Sequence, residues 1–282
     1  AVTESRTGTS GLGFGLFLRV ERAEISRITF ENETSYRNFL GGFRLETDSD
    51  EATTRSGDIR EIIFRNVVST ENQGEPGIGG VKANDYDVGD NGDGIALLTD
   101  NGGISLITVT NVTANGNGTF GLRMESDGTA GVPKTAPTAV VAGDLDTIKI
   151  KDGTFNFNGT RAAIGRGSGI LISGYSVRNV TIDPTKANTN NDHGVQVSGT
   201  RNVSTILVEN SEFSGNDRNR DTVGDGIQVN ANEDLSNVTV RGNTASGNYA
   251  GIRAGVAGRQ IGQNITIENN TAARSGKGMG GG

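Results

Sequence analysis

Short runs in which apolar and polar residues alternate recur along this chain, set apart by clusters of glycine, asparagine and serine. Alternation with a period of two puts successive side chains on opposite faces, so each run predicts a strand with one buried face. One run of each pair follows a glycine, at Gly15, Gly42, Gly94, Gly121, Gly169, Gly194, Gly226 and Gly251, with an incomplete copy at Gly278. The steps between these glycines are 27, 52, 27, 48, 25, 32, 25 and 27 residues. Each step contains a second alternating run: ISRITFEN, REIIFRN, LITVTN, TIKIKD, NVTID, TILVEN, NVTVRG and NITIEN.

A fixed period decides the architecture before any local reading does. Two strands in about 25 residues leave no room for crossover helices, and equivalent strands of successive repeats should stack on one another. The expectation is an all-β chain, a single-domain right-handed parallel β-helix (solenoid) of about eight coils over residues 1–282. Successive coils should be about 4.8 Å apart, and right-handed winding follows from the hand of parallel crossovers. The two long steps predict insertions near 66–93 and 126–146 that leave the coil as loops. Repeat proteins often place binding chemistry on such loops.

After the second run come Asn32, Asn66, Asn111, Asp152, Pro184, Asn210, Gly242 and Asn269 at equivalent positions. A side-chain amide can bond both the turn backbone and the same amide one rung away. Asn32, Asn66, Asn111, Asp152, Asn210 and Asn269 are therefore expected to form a structural ladder. This resembles the asparagine ladder of the right-handed parallel β-helix superfamily, the pectate-lyase-like β-helix repeat proteins. The resemblance implies the fold and leaves the activity open, because that fold hosts lyases, hydrolases, epimerases, phage tailspikes, adhesins and structural proteins.

Composition narrows the classes further. With 44 glycines, 5% aromatic residues and no tryptophan, the core must be thin and regular. A net charge of -7 offers no basic patch to nucleic acid or to an anionic membrane. The absence of cysteine excludes a disulfide framework and a thiolate metal site. No run approaches the ~18 apolar residues that span a bilayer. The start at Ala1, with no charged-then-apolar leader, reads as a processed or excised segment, and an extracellular or cell-surface location is expected.

Two clusters carry candidate chemistry. Asp85, Asp87, Asp90 and Asp93, with Asn84 and Asn91, supply oxygen ligands suited to calcium. Their spacing departs from the EF-hand and from the calcium-binding nonapeptide, so a solvated acidic loop is the competing reading. His193, the only histidine, precedes a repeat glycine, and stacking should bring it against Asp225 one rung on, with Asp192, Arg220, Asp221 and Tyr249 near. That set offers a general base, a carboxylate partner and a phenolic acid, residue types used by polysaccharide lyases and uronate epimerases of this fold. Against it, the outward columns of the first strands do not concentrate carboxylates, and a histidine before a turn glycine can simply cap backbone groups.

Both terminal stretches, AVTESRTGTSGLG and GKGMGGG, lack an amphipathic cap. An open coil edge carries unpaired backbone groups that invite another chain. Either the chain is cut from a longer solenoid, or copies of it associate head to tail, which does not close and gives a filament. The leading expectation is thus an extracellular structural or adhesive protein that self-assembles end to end. The alternatives are a lyase or epimerase acting on an extracellular polysaccharide, and a passive stalk fragment of a larger adhesin. Sequons such as NVT can arise as by-products of asparagine-rich turns.

Overall fold

The computed structural model describes residues 13–21, 23–38, 40–48, 56–72, 92–126, 143–159, 167–216, 224–257 and 262–273. Within them the alternating runs become eighteen strands, numbered here in chain order, and no helix. A first ladder stacks β1 (Phe14–Glu21), β4 (Gly41–Asp48), β7 (Asp93–Thr99), β9 (Leu122–Ser126), β12 (Ile170–Ile182), β14 (Val195–Glu209), β15 (Asp225–Ala231) and β17 (Ala250–Val256). A second stacks β2 (Ile25–Glu31), β5 (Ile59–Arg65), β8 (Ile104–Thr110), β10 (Leu145–Lys151), the far halves of β12 and β14, β16 (Asp234–Arg241) and β18 (Gln263–Glu268). Because β12 and β14 run through the corner, the two ladders join into one 14-stranded sheet. All pairings between these strands are parallel, and the sheet winds into a nearly closed solenoid.

The register is the one the repeat predicts. Phe17, Arg44, Ala96, Arg123, Leu171, Gln196, Gln228 and Arg253 form one unbroken outward column. Between the ladders, Ile62, Ile107, Ile148, Val180, Ile206 and Val238 stack inward and are buried. Phe30 stacks on Phe64 with ring centroids 4.8 Å apart, the spacing of the rungs themselves. Outside, arginines bridge adjacent rungs: Arg37 to Glu71 at 2.7 Å, Arg178 to Asp146 at 2.8 Å and Arg241 to Glu209 at 2.6 Å. Exposed pairs of this kind are screened by solvent and add little to stability. A lysine makes the same kind of cross-rung contact, Lys186 to Glu212 at 3.6 Å.

A third parallel ladder closes each rung, and the sequence reading missed it. It runs through β3 (Thr34–Tyr36), β6 (Val68–Thr70), Thr113, β11 (Gly153–Thr154), β13 (Thr185–Lys186), Glu212, Thr244 and Thr271. Segments of one to three residues are too short for alternation to be legible.

Corners are made by residues with positive φ. The predicted column supplies one set: Asn32, Asn66, Asn111, Asp152, Asn210 and Asn269 have φ between 50 and 58°, and Gly242 has 64°. Asparagine is there because it tolerates the left-handed region better than other residues with a Cβ. The column is exposed and only partly bonded along its length: Asn66 Nδ2 donates to Asn32 Oδ1 at 3.0 Å and Asn111 to Asn66 at 2.8 Å, whereas Asn210 donates to Asp183 at 3.0 Å. A second positive-φ position recurs inside each second-ladder strand, at Arg27, Glu61, Leu106, Thr147, Asn179, Thr205, Asn237 and Asn264.

A different asparagine ladder lies inside. Asn38, Asn72, Asn117, Asn158, Asn190, Asn216 and Asn248 are joined by six side-chain bonds of 2.9–3.1 Å, each Nδ2 donating to the Oδ1 one rung on. The same Oδ1 atoms accept the backbone N–H of the preceding member. Each of the six carbonyls from Asn72 to Asn248 thus takes two donors, the condition under which a buried amide is tolerated. The repeat glycines make room for it. A Cβ on Gly121, Gly194 or Gly226 would stand 2.7, 2.8 or 2.6 Å from the Nδ2 of Asn158, Asn216 or Asn248. None of the eight repeat glycines from Gly15 to Gly251 has a positive φ, so they serve space and not backbone conformation.

Of the predicted insertions, 73–91 and 127–142 lie outside the described residues. The margins assigned to them belong to the coil: Asn66 to Asn72 form its third side, and Asp93, Ser126, Leu145 and Asp146 stand in strands.

Candidate functional site

The corner that opens each first-ladder strand collects the polar groups singled out from sequence. There Phe14, Gly41 and Asp93 occupy one column, continued by the residues that precede the later repeat glycines. His193 and Asp225 are neighbours in it, as the stacking predicts. Both are buried, at 3% and 0% exposure. The Asp225 backbone N–H donates to His193 Nδ1 at 2.9 Å. That bond leaves the ring neutral, with its proton on Nε2, which lies 3.4 Å from Asp192 Oδ1. Asp225 Oδ2, 3.9 Å from His193 Nδ1, is held by Gln228 Nε2 at 3.1 Å and Arg253 Nε at 3.2 Å.

The lone pair a general base would use is therefore occupied by a backbone amide. The geometry is that of a buried cap that fixes one rung on the next. Tyr249 is 39% exposed, and its backbone N–H bonds Gly224 O; among the described residues its side chain makes no hydrogen bond to His193, Asp192 or Asp225. Arg220 and Asp221 lie outside the described residues.

Asp93 is the one candidate calcium ligand within the described residues, since Asp85, Asp87 and Asp90 fall outside them. Its Oδ1 accepts from Thr119 Oγ1 and from the Phe120 N–H, and Oδ2 lies 3.8 Å from Arg123 Nη1. Burial pushes its carboxyl above the usual range, with Arg123, Thr119, the Phe120 amide and Arg44 pulling the other way. Among the described residues no group of three or more histidine or acidic side chains is placed to hold a metal ion.

What sequence reasoning missed is that this end of the first ladder is a charged lattice. Arg44 Nε donates to Glu46 at 2.8 Å, and both are buried. Arg19 approaches Glu46 at 3.4 Å and pairs with Asp48, and Arg123 grips Glu125 at 2.5 and 2.7 Å. Arg44 lies over the rings of Phe14 and Phe17 at 5.7 and 5.9 Å, and Arg123 over Phe120 at 5.5 Å. The register could have shown it, since Arg44 and Arg123 share one outward column and Arg19, Glu46 and Glu125 the adjacent one. These charges are spent largely on one another.

On the opposite corner an open polar groove of about 450 Å³ runs between the second and third ladders, with Asp152, Thr154, Lys186, Asn210, Glu212 and Thr244 along it. No helix among the described residues is long and apolar enough to cross a membrane.

Set against known proteins, this chain matches no protein-family model, no curated protein and no solved structure. The class rests on its own geometry: an all-β, all-parallel strand solenoid, compatible with the parallel β-helix fold.

Proposed function

We propose that the chain is an extracellular structural or adhesive protein, a single-domain right-handed parallel β-helix of eight coils whose copies join end to end into filaments. Right-handed winding follows the general preference of parallel crossovers. The observation that carries the reading is the state of the interior rows at the two ends of the described stack. Ile265 and Ile267 of β18 are 37% and 49% exposed, while Val238 and Val240, their partners in β16, are fully buried. At the other end Leu16, Leu18 and Val20 of β1 are only partly buried, whereas Leu45, the partner of Leu18, is fully so.

A second copy set on the β17 and β18 rung in the same direction would bury both sets of rows. It would also extend the parallel pairing, since among the described residues β18 has β16 as its one partner strand. An extracellular location belongs to the same reading, because a cysteine-free chain is indifferent to an oxidising environment. The His193 geometry supports a structural cap and gives no support to a uronate lyase or epimerase.

Electron microscopy and sedimentation of the purified chain over a range of concentrations test the proposal. Unbranched filaments with an axial spacing of about 4.8 Å in fibre diffraction are expected. A chain that remains monomeric throughout would overturn it.

A further inference from the structure

Resting on the end-to-end reading, we infer that one polar contact, Asn270 of one copy to Glu33 of the next, sets the direction and register of the assembly.

The two residues occupy the same column. Register carries Thr34 to Val68, Thr113, Thr154, Lys186, Glu212, Thr244 and Thr271, so the residues just before them, from Glu33 to Asn270, stack likewise. Within the stack this column is buried: Val67, Val112, Thr185, Ser211 and Asn243 are each no more than 5% exposed. Its last polar members are bonded in one direction. The Ser211 N–H donates to Asn243 Oδ1 at 3.0 Å. The Asn243 N–H and Nδ2 both donate to Asn270 Oδ1, at 2.9 and 3.0 Å. The backbone makes this sense unambiguous, because an N–H must meet the amide oxygen.

Asn270 repeats the arrangement one rung further. One of its Nδ2 hydrogens goes to Val240 O at 2.8 Å, as that of Asn243 goes to Val208 O at 2.9 Å. The remaining Nδ2 hydrogen and the backbone N–H are the two donors that Asn243 directs at the next rung. At the opposite end of the described stack, the same column presents the exposed carboxylate of Glu33. Two parallel donors and a carboxylate are complementary, and they meet when a second copy continues the stack in the same direction. Opposed copies would set Glu33 against Glu33 or Asn270 against Asn270, one repulsive and the other donor against donor. Direction therefore follows from this column, whereas the apolar rows are indifferent to it.

The test uses Glu33→Ala and Asn270→Ala, with Glu33→Gln as the conservative variant and circular dichroism to check the fold. Loss of hydrogen bonds to a charged group should raise the threshold concentration for assembly about 10- to 150-fold for either alanine variant. Glu33→Gln, which keeps the acceptor oxygen, should fall between it and the wild type. At a concentration between the thresholds each alanine variant alone should be monomeric. Their 1:1 mixture should give a dimer and nothing longer, because one intact junction is possible.

Dimers from either variant alone would mean opposed copies and would overturn the inference. So would wild-type filaments unaffected by both alanines, which leaves the end-to-end reading standing. Stronger assembly of Glu33→Ala would also overturn it, by showing the carboxylate to be an inward-pointing charge that blocks the edge. A wild-type chain that never assembles removes the end-to-end reading and this contact together.

Discussion

Replacing Gly194 by alanine adds one methyl group at a point where three neighbours already stand. The new Cβ would lie 2.6 Å from Gly226 O, 2.8 Å from Asn216 Nδ2 and 2.9 Å from Phe213 Cβ. Ordinary carbon contacts are about 3.5–4.0 Å, so each neighbour must give way by more than half an ångström. One of them is backbone of the next rung, held by the parallel ladder. Overpacking of this kind costs about 1–3 kcal/mol. If Asn216 retreats instead, its bonds to Asn248 and from Asn190, both 3.0 Å, are lost in a buried setting, at about 1–3 kcal/mol.

Either way the loss is roughly 1–3 kcal/mol against a total of about 5–15 kcal/mol, and a fall in Tm of roughly 2–12 °C. Gly255 is the control, because nothing lies within 4 Å of a Cβ built there, and Gly255→Ala should be neutral or gain up to ~1 kcal/mol through the unfolded chain. Thermal and urea denaturation of both variants decide the matter. Hydrogen exchange at the Asn190 and Asn216 amides shows whether the damage is local, as the near-neighbour energetics of a solenoid predict. If Gly194→Ala melts with the wild type, the glycines are not making room for the inner ladder.

Asn158→Ala should destabilise by about 2–4 kcal/mol in urea titration, because it orphans the Asn117 N–H and Nδ2 that donate to Asn158 at 3.1 and 3.0 Å. Phe157 is 52% exposed with φ 59°; glycine there relieves about 1–2 kcal/mol of left-handed strain and loses about 0.5–1 in entropy, so the midpoint should rise slightly, and a fall refutes the strain argument. His193→Ala should cost about 1–3 kcal/mol by stripping the acceptor from the buried Asp225 N–H, with no uronate-product activity to lose; unsaturated product from the wild type, abolished by the substitution, would reverse that assignment. Because the native Asp93 carboxyl lies above its ordinary range, the native state binds the extra proton, and its contribution to stability declines as pH rises from about 4 through that raised value. Asp93→Asn should flatten this slope in denaturation measured across acid pH, and an unchanged slope counts against it.

Much of the fold was readable because stacking copies a one-dimensional period into space. The outward columns from Phe17 to Arg253 and from Arg19 to Gly255 follow from counting along the chain, and the strand pairings reproduce them residue by residue. The contact of His193 with Asp225 was legible for the same reason. Its role was not, since only coordinates show that Nδ1 faces an amide instead of solvent. The inner ladder carried a signal that went unused: Asn38, Asn72, Asn117, Asn158, Asn190, Asn216 and Asn248 each stand six residues after a member of the outer column.

By itself, then, the amino-acid order determined the two longer strands of each rung, which of them lie over one another, and which of their side chains share a column. Tertiary structure alone decided which of two asparagine columns is buried, why the repeat glycines are glycine, and how the charged corner pairs its ions. The physical reason is that period fixes position along the stack, whereas burial and hydrogen-bond direction depend on how the corners turn, and those turns are made by single residues with positive φ and by strands too short to leave a pattern.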